Sequence, residues 1–207
     1  MILKSTVVMD DNLTKLSQAF DYEFTGTTTF KVPEFESFNV PDRNDFSIGL
    51  ICGPSGSGKT QMAKKYFGEQ VDIKWDREKS IISHFEDYDE GVDRVMSVGL
   101  SSIPSICRPY HVLSMGEQFR SNMSRSLNDN ALIDEYTSVV NRDVAMSTSV
   151  GIKKFITRRN FKGIVFISCH YDIIEWLQPD WVFDTGESLM TVNTLSEYHT
   201  KIGNIKF

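Results

Sequence analysis

Apolar positions along this chain change their spacing several times, and each change marks an element. ILKSTVVM (2–9) and EFTGTTTFKV (23–32) are rich in β-branched residues and predict strands, with a short helix from Asp11 to Phe20 between them. Pro33 and Pro41 break the region that follows. FSIGLIC, Phe46 to Cys52, is a continuous apolar run ending in Gly-Pro, the pattern of a strand buried on both faces, and a helix from about Lys59 to Phe67 comes next. Residues 69–110 lose this regularity, with acidic HFEDYDEG followed by Pro104 and Pro109, and predict an inserted, largely helical subdomain. In HVLSMGEQFRSNMSRSL (111–127), Ser114 and Glu117 form an S-x-x-E capping box, and Phe119, Met123 and Leu127 are spaced as the buried stripe of the helix it starts. A strand ALID (131–134), a long helix from about Val144 to Asn160 and an apolar strand GIVFIS (163–168) follow. WVFD, a Thr-Gly-Glu turn and SLMTVN predict a terminal hairpin. Strands alternating with helices, the first feeding a glycine loop, predict an α/β sheet with a β-rich N-terminal part.

Composition narrows the classes. A chain of 207 residues suits one domain with an insert, here about 77–127, and 40% hydrophobic with 24% charged residues is ordinary for a globular protein. The net charge of −6 and the pI near 5.2 argue against broad, sequence-independent nucleic-acid binding, which needs many cations opposite phosphates. KKFITRRNFKG sets Lys153, Lys154, Arg158, Arg159 and Lys162 on or near one helix; a solvated face is the first expectation, a nucleic-acid or acidic-partner contact the second. Cys52, Cys107 and Cys169 have no metal-ligand spacing, and Cys52 and Cys169 sit in runs that predict buried strands, so a reducing, cytoplasmic setting is expected. No apolar run reaches the length of a membrane span, and the N-terminus lacks a basic region with a long apolar core. Trp176 and Trp181 flank Pro179 and are expected in the core, with an exposed docking pair as the other possibility.

Three stretches carry chemistry. GPSGSGKT (Gly53, Pro54, Ser55, Gly56, Ser57, Gly58, Lys59, Thr60) satisfies G-x-x-x-x-G-K-T between a predicted strand and a predicted helix. Its glycines let backbone N–H groups curl around a phosphate, Lys59 can reach the β- and γ-phosphates of a nucleotide, and Thr60 can hold Mg²⁺. ALIDEYTS ends a strand in Asp134, which can sit beside the metal, and in Glu135, which can polarise a water for attack on the γ-phosphate. GIVFISCHYD sets His170 just past another strand, at the sheet edge where ligands of α/β folds bind; an imidazole there can donate to the γ-phosphate.

In order, GPSGSGKT, LSMGEQFR, LIDEYTS and ISCH resemble the ATPase domain of the ATP-binding cassette (ABC) superfamily, over residues 46 to about 170. DEYTSVVNRDVA and SCHYDIIEWLQPDWVFD look like a group of stand-alone soluble bacterial and phage ABC-type ATPases, some of which carry an acetyltransferase-like domain for which this chain has no room. The resemblance implies a P-loop NTPase with an ABC-type core sheet and a short inserted α-helical signature subdomain. It implies Asp134 as the metal-linked aspartate, Glu135 as the catalytic glutamate and His170 as the switch histidine. Ser114, Met115, Gly116, Glu117 and Gln118 then match the signature, which in this family contacts the ATP held by the opposite subunit. Met115 stands where the first signature glycine is usual, and Asn141 where an aspartate is usual. No Gln occurs between Gln70 and Gln118, so Trp75 or Asp76 takes the place of the usual glutamine, and Phe30 or Phe35 is the expected adenine-stacking ring.

The expected function is a cytoplasmic ATP hydrolase working with ATP and Mg²⁺ as a head-to-tail homodimer on a protein or nucleic-acid partner, without inserting into a membrane. The alternative is the ATPase subunit of a membrane transporter. A small-molecule kinase shares only the phosphate loop, and a non-hydrolysing ATP-gated module would be marked by absent phosphate release.

Overall fold

The computed structural model describes residues 1–35 and 39–192. Its centre is a five-stranded sheet of β3 (Ile48–Cys52), β4 (Leu132–Ile133), β5 (Ile164–Ser168), β6 (Trp181–Asp184) and β7 (Leu189–Val192), in the order β4-β5-β3-β6-β7. All neighbours are parallel except β6 and β7, which form the expected hairpin; Asn193 of SLMTVN lies outside the described residues. β3 and β5 are buried at every position, as their unbroken apolar runs require.

Alternate side chains of the sheet feed two cores. Ile48, Leu50 and Cys52 of β3 face a core shared with α3 (Tyr88–Ser97), α5 (Met115–Ser126), α6 (Arg142–Arg159) and α7 (Ile173–Leu177). Ile51 faces a second core with Met62, Ala63 and Phe67 of α2 (Lys59–Phe67) and with Phe35, Phe46 and Trp181. Trp181 stacks on Phe67 and meets Phe46 edge-on, which settles it as core. A Cβ at Gly49 would lie 2.1 Å from the Trp181 ring, so the glycine makes the room this indole occupies.

The N-terminal part is as expected: β1 (Ile2–Thr6) and β2 (Thr27–Lys31) pair antiparallel as a separate two-stranded sheet, joined by α1 (Asp11–Ala19). The insert differs in detail. Residues 69–81 form no helix; helical structure begins with a 3₁₀ turn, Ile82–His84, and continues in α3 and the short α4 (Ile103–Ile106). Arg94 joins α3 to α5: Nη1 donates to the carbonyls of Leu127 (2.9 Å) and Ser124 (3.2 Å), satisfying the end of α5. The helix α7 was not expected, since its five residues are too few for a periodic signal.

Candidate functional site: a cleft built from three strand ends

β3, β5 and β4 lie side by side, and the loop after each begins at the same edge of the sheet. The phosphate loop follows β3, Cys169 and His170 follow β5, and Asp134 and Glu135 follow β4. A cleft of about 300 Å³ is lined there by Ser55, Gly56, Gly58, Lys59, Thr60, Asp134, Glu135 and Cys169, with Phe30 entering from β2.

The start of α2 differs from those of α3, α5 and α6. Asp87, Ser114 and Asn141 cap α3, α5 and α6 with side-chain oxygens, whereas α2 begins on Gly58 with no side-chain cap. Its first N–H groups are therefore left for an anion. Gly58 has φ +85°, and a Cβ there would lie 2.8 Å from Phe30, so both backbone conformation and ring demand glycine. The Lys59 ammonium donates to the carbonyls of Gly53 (2.9 Å) and Pro54 (2.7 Å), holding the loop closed on itself. Ser57 Oγ lies 2.6 Å from Thr185 Oγ1, which ties the loop to the end of β6.

Asp134 is half-buried and Glu135 exposed. Asp134 Oδ1 accepts from the Glu135 N–H (2.8 Å), and Glu135 Oε2 accepts from the Ser138 hydroxyl (2.6 Å). Glu135 and Thr137 both have positive φ, +51° and +66°, uncommon for such residues and a sign of a turn held by its surroundings. Ser168 supplies part of that hold: its hydroxyl donates to the Tyr136 carbonyl (2.9 Å) and accepts from the His170 N–H (3.1 Å). The imidazole is not among the cleft-lining groups; it lies behind Cys169, whose Sγ is 3.9 Å away, with Nδ1 3.2 Å from Thr137 Oγ1. Burial, then the nearby Arg142 charge, holds the His170 pKa below its ordinary value.

Sequence reasoning missed Gln70. Its side-chain oxygen accepts from the Asp134 N–H at 3.0 Å, and it lines a neighbouring cleft with Thr60 and Asp134. Trp75 lines that second cleft but is stacked on Tyr110 (5.0 Å, 5°), lies under Arg125, and donates from Nε1 to Asn122 (2.8 Å). Asp76 is exposed and accepts from the Glu78 N–H. Of the two aromatic candidates, Phe35 is buried among Tyr66, Phe67, Trp181 and Phe183, while Phe30 lines the cleft. Cys169 also departs from expectation: it lies one residue past β5, exposed and on the cleft wall, whereas Cys52 is buried.

The stretch 114–118 does not line the cleft. Its capping box is complete: Ser114 Oγ accepts from the Glu117 N–H, and Glu117 Oε2 accepts from the Ser114 N–H (2.9 Å). Glu117 also accepts from Ser105, and these bonds, Ser105 first, hold its pKa down at about 2. Gln118 donates to the carbonyls of Tyr110 (3.2 Å) and Leu113 (3.1 Å), so it fixes the approach to the helix. Met115 projects into solvent, 68% exposed. The basic segment is largely spoken for: Arg158 and Arg159 both pair with Asp93 of α3, and Lys153 donates to the Gln178 carbonyl (3.1 Å). Trp176 is half-buried under the Arg142 guanidinium, so it forms no exposed pair with Trp181.

The arrangement of strands and loops matches known structures. The ATP-binding cassette MJ0796, in a dimeric post-hydrolysis state bound to ADP and Pi, aligns over 94% of this chain and 100% of its own, with TM-score 0.55 and 12% identity. A second dimeric structure of MJ0796, described as a bacterial ABC transporter cassette, aligns over 94% and 100% with TM-score 0.54 and 13% identity. This chain has the ABC ATPase fold. No protein-family model and no curated protein matches the sequence. Among the described residues, no helix is long and apolar enough to cross a membrane.

Proposed function

We propose that this ABC-fold chain is a cytoplasmic ATPase that binds ATP with Mg²⁺ in the cleft and hydrolyses it in a head-to-tail dimer, driving or switching a protein or nucleic-acid partner. One observation carries the two-subunit part of the reading. Gly116 has no positive φ, and a Cβ there would meet only ordinary contacts at 3.7 Å, from Arg120 and Val140. The subunit's own fold has no need of glycine at this helix start, where it is a poor helix former. A need from outside the subunit, close approach of backbone N–H groups to a phosphate, accounts for it.

Within one subunit the roles follow from position. The uncapped α2 N-terminus and Lys59 hold the phosphates, and Phe30 offers its exposed ring to the base. Thr60 and Asp134 present oxygen to the same cleft, a donor set suited to Mg²⁺ that also keeps waters and phosphate oxygens. When bound, the metal neutralises charge on the β- and γ-phosphates. Glu135 orients the attacking water, and His170 donates to the terminal phosphate. Met115 and Gly116 of one subunit would face the nucleotide of the other.

The test is mass in solution of Glu135→Gln with and without ATP and Mg²⁺. ATP-dependent dimerisation, abolished by adding Gly116→Asp or Ser114→Arg, is the expected result. Tight ATP binding by a protein that stays monomeric at high concentration sinks the two-subunit reading. The transporter alternative predicts co-purification with a multi-span membrane protein.

A further inference from the structure

Arg142 is the first residue of α6, where a positive charge opposes the helix dipole. Its surroundings explain the choice. The guanidinium pairs with Asp172 through two nitrogens, Nε at 2.7 Å from Oδ2 and Nη2 on Oδ1, and lies over the Trp176 ring at 5.2 Å. Held on two sides, it donates from Nη1 to Thr137 Oγ1 at 3.3 Å, and the same hydroxyl lies 3.2 Å from His170 Nδ1.

Donor and acceptor counting then fixes the direction of the last bond. Arginine only donates, so it occupies a lone pair of the Thr137 oxygen. Thr137 is fully buried, and among the described residues its hydroxyl proton has no acceptor within hydrogen-bond distance other than Nδ1. Were Nδ1 protonated, that hydroxyl proton would be stranded in the interior, the costly case of a buried donor with no acceptor. Nδ1 is therefore the acceptor, and in a neutral ring the proton sits on Nε2. Nε2 has no oxygen or nitrogen partner among the described residues; Cys169 Sγ, on the cleft wall, is 3.9 Å away.

We propose that Arg142, acting through Thr137, is a positioning residue that locks the ring of His170 and its Nε2–H tautomer, leaving that N–H as the donor for a terminal phosphate. The phosphate role rests on the ATPase reading above; the relay itself does not. The charged and titratable groups acting on the imidazole are Arg142, Asp172 and Glu135, with the Cys169 thiol adjacent. Burial and Arg142 oppose a second proton there, and the two carboxylates favour one, with a net downward shift. The ring is thus held neutral, as a lone Nε2–H donor requires.

The experiment is multiple-bond ¹⁵N–¹H correlation on the full chain labelled at histidine, with His170→Gln assigning the signal. In the wild type, Nδ1 of His170 should resonate as an unprotonated acceptor nitrogen. In Thr137→Val, which keeps the branched shape, it should move toward the averaged position of a free side chain, and Thr137→Ser should restore it. A wild-type Nδ1 that carries the proton, or a Thr137→Val spectrum identical to wild type at His170, overturns the relay. In steady-state hydrolysis, Thr137→Val should lower kcat roughly tenfold with KM for ATP unchanged, and Thr137→Ser should not. An unchanged kcat in Thr137→Val overturns the positioning role. A wild-type protein without hydrolysis defeats the ATPase reading instead, and the spectra still decide the relay.

Discussion

The side-chain oxygen of Gln70 accepts the backbone N–H of Asp134 at 3.0 Å, joining the segment after α2 to the acidic end of β4. Gln70 thereby helps to set where the Asp134–Glu135 pair stands. Gln70→Ala should lower ATP turnover about tenfold, the equivalent of one well-placed hydrogen bond, with little effect on nucleotide affinity. Phosphate release and equilibrium binding measured side by side check the split; equal loss in both would move Gln70 into the binding surface.

Gly116 sits in a helix start that has room for a methyl group. Gly116→Ala should therefore stabilise the isolated subunit, by up to about 1 kcal/mol in urea unfolding, while reducing ATP-dependent dimerisation. A variant that is both less stable and fully active would show that the glycine serves the subunit's own fold.

Two phenylalanines separate by environment. Phe35→Ala removes a buried ring packed against Tyr66, Phe67, Trp181 and Phe183, and should cost about 3–5 kcal/mol in unfolding free energy. Phe30→Ala should leave the melting temperature nearly unchanged and weaken ATP binding roughly tenfold, as loss of a base-stacking ring does. Thermal unfolding and fluorescent-nucleotide titration distinguish them.

Glu117 gives the helix start a pH signature. Its pKa is held down at about 2 in the folded chain by bonds from Ser105 and Ser114, against 4.5 in an ordinary carboxyl. A depressed carboxylate stabilises above its unfolded pKa and loses that contribution as the pH falls through the folded one. Glu117→Gln should be about 0.5–1 kcal/mol less stable at pH 7, with the difference narrowing steadily below pH 4.5. Chemical unfolding at pH 7 and pH 3 measures the narrowing.

Cys169 and Cys107 are both exposed, but only Cys169 lines the cleft. ATP with Mg²⁺ should slow alkylation of Cys169 at least several-fold and leave Cys107 untouched, as peptide mass spectrometry would show. Cys52 should resist alkylation throughout, since burial drives its pKa far upward.

Much of this protein is decided locally and was legible in the sequence. The phosphate loop, the capping box at Ser114 and Glu117, the helix Lys59–Phe67 and the buried strands β3 and β5 depend on residue types at short, fixed spacing. Tertiary structure alone decided which loops meet. β5 lies between β3 and β4 although it follows both in the chain, so Cys169 joins the phosphate loop and Glu135 in the cleft wall, with His170 next to it. Tertiary structure also buried Phe35 and set Phe30 on the cleft, brought Gln70 to Asp134, turned Arg158 and Arg159 onto Asp93, and left Cys169 on the cleft wall. Strand order and side-chain partners across such separations are set by burial of two cores at once, and no short window of sequence records which distant surfaces will be buried together.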